Sequence, residues 1–495
     1  MRDSVRHLSK GVAIYGAGDA AIQIVNLLLM AVYVKGGFLG MEDYGALALI
    51  GGFEAITKII SRWGLDGAFM RFFHERPAGG PLELITSTIV WFTIGADVIV
   101  FAVLLAVSGW IAAHWFPNPT HVLAFRLMLV NTFLISLTFL PFHLMRLRNQ
   151  AVTYSALTFG RSIGTLIVRI VLVIGLGWGL AGMYATDLAI TLLLLPILWR
   201  WVRPLIQARF SPDDLRLVLR FGLPRLPHGL AQQALDAGNK MLLRWYIPLH
   251  ELGVYGTGVT LGNGVRFFTS AFETVWAPFY YATSRRAEAP EVFAKMTTYG
   301  IAVLTLLVAL TVAVARDLIL VMFKPEWSDA ARVMPLIAVG VALQGVYLLT
   351  SIGLNLTTRT QYYPVATFAA LGVGIGSGLI LMPRFGVTGA AIAFLASAVT
   401  QTSVAFFFSR RFYPIPYEVG RVLRVVASGI VAAMAGLWLI PQGRPIVGLF
   451  ARAGVTTAVF VALIAATGFL RKTERAFAAE VWGSMRRKAS GFRGA

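Results

Sequence analysis

The sequence predicts an all-α membrane protein that crosses the bilayer many times, built as two parallel six-helix lobes followed by two further helices. Three observations carry that prediction. Of the 495 residues, 57% are hydrophobic and only 13% are charged, against about 25% charged in an ordinary soluble domain. Apolar runs of the ~20 residues that a spanning helix needs recur almost from end to end. Landmarks of the first half also return in the second half at a nearly constant spacing.

Taken in order, the apolar runs place about fourteen spans, at 11–34, 44–66, 84–108, 121–144, 152–174, 179–199, 221–243, 253–275, 293–315, 332–355, 362–382, 386–408, 421–440 and 446–469. They group into an N-terminal lobe (1–200), an inter-lobe linker (201–220), a C-terminal lobe (221–408), two extra helices (409–470) and a basic tail (471–495). The opening MRDSVRHLSK resembles the basic start of a signal peptide. The apolar run behind it contains Asp19 and offers no small-residue cleavage site, so it reads as an uncleaved first span.

The net charge of +20 suggests nucleic acid at first sight. The distribution of the basic residues argues otherwise. With the N-terminus inside, about 27 Lys and Arg fall in cytoplasmic segments and about 7 in outward loops, as the positive-inside rule expects. Arg200, Arg203, Arg209, Arg216 and Arg220 form one such cluster, and Arg410, Arg411, Arg421 and Arg424 another. An even number of spans places both termini in the cytoplasm, with no nucleic-acid partner. The tail from Arg471 alternates apolar and basic residues, a pattern that suits either an amphipathic helix on anionic lipid or a solvated end. The absence of cysteine excludes disulfides, thiolate nucleophiles and cysteine metal sites.

The repeat rests on three anchors. Asp43-Tyr44-Gly45 corresponds to Glu251-Leu252-Gly253 at an offset of 208, Gly179-Leu180-Ala181-Gly182 to Gly386-Val387-Thr388-Gly389 at 207, and Thr158-Phe159 to Thr367-Phe368 at 209. Six spans restore the starting orientation, so the halves are parallel and related by an axis along the membrane normal. Parallel repeats of this kind are a transporter architecture with the substrate site between the halves.

Charges inside spans cost ~2.5–3.5 kcal/mol each at the bilayer centre, so those present ask for a reason. They are Asp19, Glu54, Lys58, Arg62, Asp66, Asp97, Arg126, Arg161, Arg169, Asp187, Asp236, Lys240, Arg266 and Glu273. Glu54, Lys58, Arg62 and Asp66 stand four apart, which fits either a ladder of self-neutralising pairs or a charged stripe facing a wet cavity. The repeat places Lys58 at the position of Arg266, while Glu54 falls on Gly262. Two cations at one depth, one per half, point to an anion held between the halves by Lys58, Arg62 and Arg266, with Arg161 as a fourth candidate. Asp236 and Lys240 are four apart and read as an intrahelical pair that lines or gates the cavity. Pro224 and Pro227 should break the backbone ladder where the seventh span begins. Asp19 and Asp97 are candidates for a coupling cation or proton, or for partners of a buried arginine.

Other signals are declined. Gly372, Gly374, Gly376 and Gly378 lie in an apolar span and make small-xxx-small packing patterns rather than a nucleotide loop. No P-loop sequence occurs, the seven histidines have no metal spacing, and no hydrolytic constellation is visible, so the expectation is a transporter without cofactor or metal rather than an enzyme.

Several segments look familiar as a set. LVLRFGLPRLPHGL, ELGVYGTGVTLGN, FETVWAPFYY and LMPRFGVTGAAIAFLAS resemble the polysaccharide transporter branch of the multidrug/oligosaccharidyl-lipid/polysaccharide (MOP) superfamily, which includes the Wzx-type flippases. The resemblance runs from Gly11 to about Tyr417. It implies two six-helix lobes around a cavity that opens alternately to either face of a bacterial cytoplasmic membrane. It implies as cargo a polyprenyl-diphosphate-linked oligosaccharide, the precursor of O-antigen, capsule or exopolysaccharide, with polymerase and glycosyltransferases as possible partners. Lys58 or Arg62, and Arg266, match the places where relatives carry cations thought to meet the diphosphate. Trp63, Gln232, Gln233, Trp276 and Tyr280 offer surfaces for sugar. A lipid II-type flippase and a cation-coupled drug exporter of the multidrug and toxic compound extrusion (MATE) branch remain open alternatives.

Overall fold

The computed structural model describes residues 25–74, 81–148, 150–441 and 443–469, and every regular element among them is helical. The first half runs through α1 (Val25–Lys35), α2 (Met41–Arg62), α3 (Leu65–His74), α4 (Leu82–Trp115), α5 (Pro119–Ser136), α6 (Phe139–Leu147), α7 (Ala151–Arg169) and α8 (Gly179–Val202). A short α9 (Pro212–Gly222) leads to α10 (Leu226–Arg244), α11 (Leu249–Gly262), α12 (Arg266–Thr283), α13 (Ala289–Met322), α14 (Ala330–Thr350) and α15 (Ile352–Leu356). The chain ends with α16 (Tyr362–Phe412), α17 (Val419–Leu439) and α18 (Pro445–Ala466). Asp19 and the basic tail lie outside the described residues.

Ten of these helices are long and apolar enough to cross a membrane. The shortfall from fourteen has plain causes. The seventh and eighth expected spans fall on α10 and the α11–α12 pair, which are too short or too polar to qualify alone, and most of the first expected span (11–34) lies outside the described residues, which take it up at α1. The eleventh and twelfth fall together on α16, which is two helices meeting at Gly386 (φ 52°, ψ −127°). They fold back on each other: Tyr362 stacks on Phe408 at 4.3 Å, and a Cβ on Gly374 would lie 3.2 Å from Ser397. Gly179, the residue the repeat aligns with Gly386, also has a positive φ (53°) at the start of α8. Glycine enters this region without the steric cost other residues bear.

Many large apolar side chains face outward, including Trp110, Trp438, Phe450 and Phe407. In water this would be an aggregation surface; against lipid tails it is the expected one. The interior takes the small and polar residues, which hydrogen-bond within their own helices, as Thr86, Thr88, Thr132 and Thr186 do to carbonyls four residues back.

The linker expected over 201–220 is largely ordered. Ser211 caps α9 by accepting from the Asp214 amide. The stretch before α9 is bound to α4, with Trp91 Nε1 donating to the Gln207 carbonyl at 2.9 Å and the Ser211 amide to Thr88 Oγ1 at 3.0 Å. Pro224 lies in a 3-10 turn (Leu223–Arg225) joining α9 to α10, and Pro227 follows in the first turn of α10. There a missing amide costs nothing. The prolines therefore mark a break between two helices rather than a bend within one.

Helix α2 is central. It packs on α5, α10 and α11, and both of its ends depend on glycine. At its start, a Cβ on Gly45 would lie 2.0 Å from the Leu249 carbonyl oxygen, and one on Gly253 would lie 1.9 Å from that of Met41. Gly45 and Gly253 are equivalent positions of the repeat, and they let α2 and α11 meet backbone to backbone. At its other end α2 stops at Trp63 (φ 50°) and Gly64 (φ 69°). There a Cβ on Gly64 would lie 2.4 Å from the Gly222 carbonyl oxygen. The break after α2 thus abuts the break before α10.

Candidate functional site

The charged side chains singled out by the sequence lie mainly on α2, α7, α8, α10 and α12, helices drawn from both halves. On α2, Lys58 Nζ donates to Glu54 Oε1 at 2.5 Å, the self-neutralising arrangement one turn apart. The second rung does not form. Arg62 and Asp66 stand on opposite sides of the Trp63–Gly64 break, so their spacing is no longer helical. Arg62 is exposed, and Asp66 instead accepts from the Gly67 amide at 2.9 Å.

The intrahelical pair expected of Asp236 and Lys240 does not form either. Asp236 Oδ1 accepts from Arg266 Nη2 at 3.1 Å, and the same nitrogen donates to Gln344 Oε1 at 3.0 Å. Arg266 opens α12 just past a 3-10 turn (Asn263–Val265), and its guanidinium outcompetes Lys240 by reaching the carboxylate from a neighbouring helix. Lys240 is left with no hydrogen bond or ion pair among the described residues.

The α7–α8 hairpin makes a third pairing. Arg169 Nη2 donates to both carboxylate oxygens of Asp187, at 2.8 and 3.1 Å. Arg161, two turns earlier on α7, is half-buried within electrostatic reach of the same carboxylate but makes no direct bond. The helix passes from α to π geometry immediately after Arg169, over Ile170–Gly175, a distortion that recurs at functional sites. Counting these residues, five cations (Lys58, Arg161, Arg169, Lys240, Arg266) meet three carboxylates (Glu54, Asp187, Asp236), an excess of two positive charges.

Asp97 lies apart, in α4, and is fully buried. Trp63 Nε1 donates to its Oδ1 at 3.4 Å, and Oδ2 has no partner. No cation pairs with it among the described residues.

The surfaces expected for sugar are differently used. Trp276 is buried in an aromatic cluster with Phe272, Phe279, Tyr280 and Phe293. Tyr280 accepts from Asn355, Gln232 accepts from Gln401, and Trp63 packs on Phe92. Burial turns these residues toward holding the helices together.

Residues 37–332 match the model of a family described as polysaccharide biosynthesis protein. The chain belongs to that family. No curated protein matches it by sequence. Solved structures similar to it include the lipid II flippase MurJ in an inward closed conformation, at 10% identity over 92% of this chain and 98% of that one, with a TM-score of 0.70. An inward-facing multidrug resistance MATE family transporter of the MOP superfamily is similar at 16% identity, over 82% and 96% of the two chains (TM-score 0.59). A MOP superfamily transporter from Pyrococcus furiosus is similar at 13%, over 84% and 95% (TM-score 0.54). At such identities the likeness is one of fold. This member of the polysaccharide biosynthesis family therefore has the MurJ/MATE-like fold of a multi-pass membrane protein.

Within that fold, sequence reasoning missed Gln344 as a partner of Arg266, and passed over Arg169 in favour of Arg161. It also missed the ion pair of Arg452 with Asp317 (2.9 Å, both buried), which fastens α18 to α13. The members of that pair are 135 residues apart, and no spacing rule connects them.

Proposed function

We propose that this protein is a flippase that moves a polyprenyl-diphosphate-linked oligosaccharide from the inner to the outer leaflet of the bacterial cytoplasmic membrane by alternating access. The observation that carries the reading is the excess of positive charge on helices from both halves, in a chain of the polysaccharide biosynthesis family. A diphosphate is a compact anion, and fixed cations in a low-dielectric cavity hold it far better than they would in water. Lys58, Arg62, Arg266 and Arg161 are the residues assigned to meet it. The Glu54 and Asp236 partners keep Lys58 and Arg266 tolerable in the membrane when no cargo is bound, and they yield when a phosphate offers stronger charge-assisted bonds.

With the N-terminus in the cytoplasm, the end at which α2 and α11 begin faces outward. The Gly45–Leu249 and Gly253–Met41 contacts then close the outer side, and the Gly64–Gly222 contact joins the two helix breaks on the inner side. The breaks at Trp63–Gly64 and Leu223–Pro224 are the hinges about which the two parts of the molecule, 1–200 and 221–408, rock; the prolines act there as breaks. Asp97, fully buried without a cation, is the coupling site for a proton or small cation, and Asp19 is a second candidate. Glycosyltransferases would supply the cargo and a polymerase would consume it.

The test is expression in a strain that lacks its own O-antigen or capsule flippase, with surface glycan and membrane abundance measured. Restored glycan supports the reading. The second reading, a cation-coupled exporter, is favoured by the unpaired Asp97. Drug resistance that depends on Asp97, with no glycan restored in several backgrounds, would establish the exporter instead.

A further inference from the structure

A cavity of about 270 Å³ lies beside the α2–α11 crossing, between Tyr33 of α1, Tyr44 of α2, Arg169 at the end of α7, Lys240 of α10 and Thr260 of α11. Its unmet polar groups are donors. Among the described residues the Tyr33 hydroxyl is buried and has no partner, and neither has Arg169 Nε. Among the described residues Lys240 makes no direct ion pair: Asp236, within its electrostatic reach, is bonded by Arg266, Asp187 by Arg169 and Glu54 by Lys58. Thr260 spends its hydroxyl proton on the Gly256 carbonyl, and the Tyr44 hydroxyl donates toward the Met30 carbonyl at 3.4 Å. Buried donors left unpaired around a surplus cation are costly unless an acceptor completes them. The chemistry that completes this set is an anion with several oxygens.

Size narrows the class. At about 270 Å³ the cavity has room for a phosphate or diphosphate group. Position narrows it further. The cavity takes residues from before and after the α9 segment, and it sits next to the contacts that Gly45 and Gly253 make across the crossing. We propose that Lys240, Arg169 and Tyr33 form a second anion station beside the Asp236–Arg266 pair, whose charges reach Lys240, and that it holds the diphosphate of the lipid-linked cargo behind the closed end before release. This deepens the flippase reading and rests on it.

The experiment uses the purified full-length protein and farnesyl diphosphate as probe, with farnesol and inorganic diphosphate as the other arms. Binding is read by thermal shift. Tighter binding of farnesyl diphosphate than of either other compound is expected, with affinity reduced tenfold or more in Lys240→Gln and several-fold in Tyr33→Phe. Arg169→Gln strands Asp187 and is read only beside Arg169→Gln/Asp187→Asn, which removes both charges. Unchanged affinity in folded Lys240→Gln and Tyr33→Phe would overturn the station. Inorganic diphosphate binding as tightly as the prenyl compound would overturn the lipid source and leave a site for a free anion. Loss of binding in Lys240→Gln from a wild type that restores no surface glycan would keep an anion station and remove the cargo reading. Glycan restored by Lys240→Gln and Tyr33→Phe at wild-type levels, with binding intact, would remove the station alone.

Discussion

Gly253→Ala tests the gate. The added methyl would lie 1.9 Å from the Met41 carbonyl oxygen and 3.0 Å from the Gly45 amide nitrogen, both backbone atoms that cannot swing aside. To reach an ordinary contact of 3.4 Å the two helices must part by about 1.5 Å there. Overpacking of this kind costs roughly 1–3 kcal/mol, and the cost falls only on the conformation in which α2 and α11 touch. Since 1.4 kcal/mol is tenfold in an equilibrium, the ratio of open to closed should rise about five- to 150-fold. The chain contains no cysteine, so Leu47→Cys, which lines the cavity beside the crossing, gives a unique reporter. A membrane-impermeant maleimide applied to the face where α2 begins should label Leu47→Cys at least about fivefold faster in the Gly253→Ala background. Gly372→Ala, whose methyl would meet nothing within 4 Å, should leave the rate unchanged. An unchanged rate in a folded Gly253→Ala variant would refute the assignment of this crossing as a gate.

Three further outcomes are expected. Arg452→Ala strands the buried Asp317 carboxylate and should destabilise the protein by about 3–5 kcal/mol, seen as a lower melting temperature in detergent; Arg452→Met/Asp317→Leu should recover most of the loss. Arg266→Ala should cost only about 1 kcal/mol, because this pair is partly solvated, and Arg266→Ala/Asp236→Asn should regain abundance without regaining transport; full transport in the double variant would make Arg266 structural. Asp97→Asn keeps an acceptor for Trp63 but no titratable group, so it should fold normally and lose any dependence of transport on the proton gradient, measured in vesicles with and without an imposed gradient.

Much of the fold was legible because lipid imposes a simple rule on sequence: long apolar runs with polar punctuation. The repeat was legible for a related reason, since Gly45 and Gly253 share one packing duty, and Gly179 and Gly386 share a positive φ. The pairing of the charged residues was not legible. Spacing alone joined Arg62 to Asp66, yet Gly64 between them ends the helix. Spacing also joined Asp236 to Lys240, yet a guanidinium 30 residues onward captured the carboxylate and released the lysine. The Arg169–Asp187 pair follows from the α7–α8 hairpin, which a single chain discloses only once its turn is placed. Of the aromatic residues assigned to sugar, Trp276 and Tyr280 are buried in packing, because a sequence does not show which side of a helix faces a cavity.

The most direct measurement places the purified protein in lipid vesicles with a short-chain prenyl-diphosphate oligosaccharide confined at first to the inner leaflet. The fraction of glycan oxidised by external, membrane-impermeant periodate is followed over time. The account predicts that the wild type exposes the glycan faster than protein-free vesicles, and that folded Arg266→Ala and Lys58→Ala variants lose most of that rate. Exposure no faster than in protein-free vesicles, from a folded wild type under either direction of proton gradient, would contradict it.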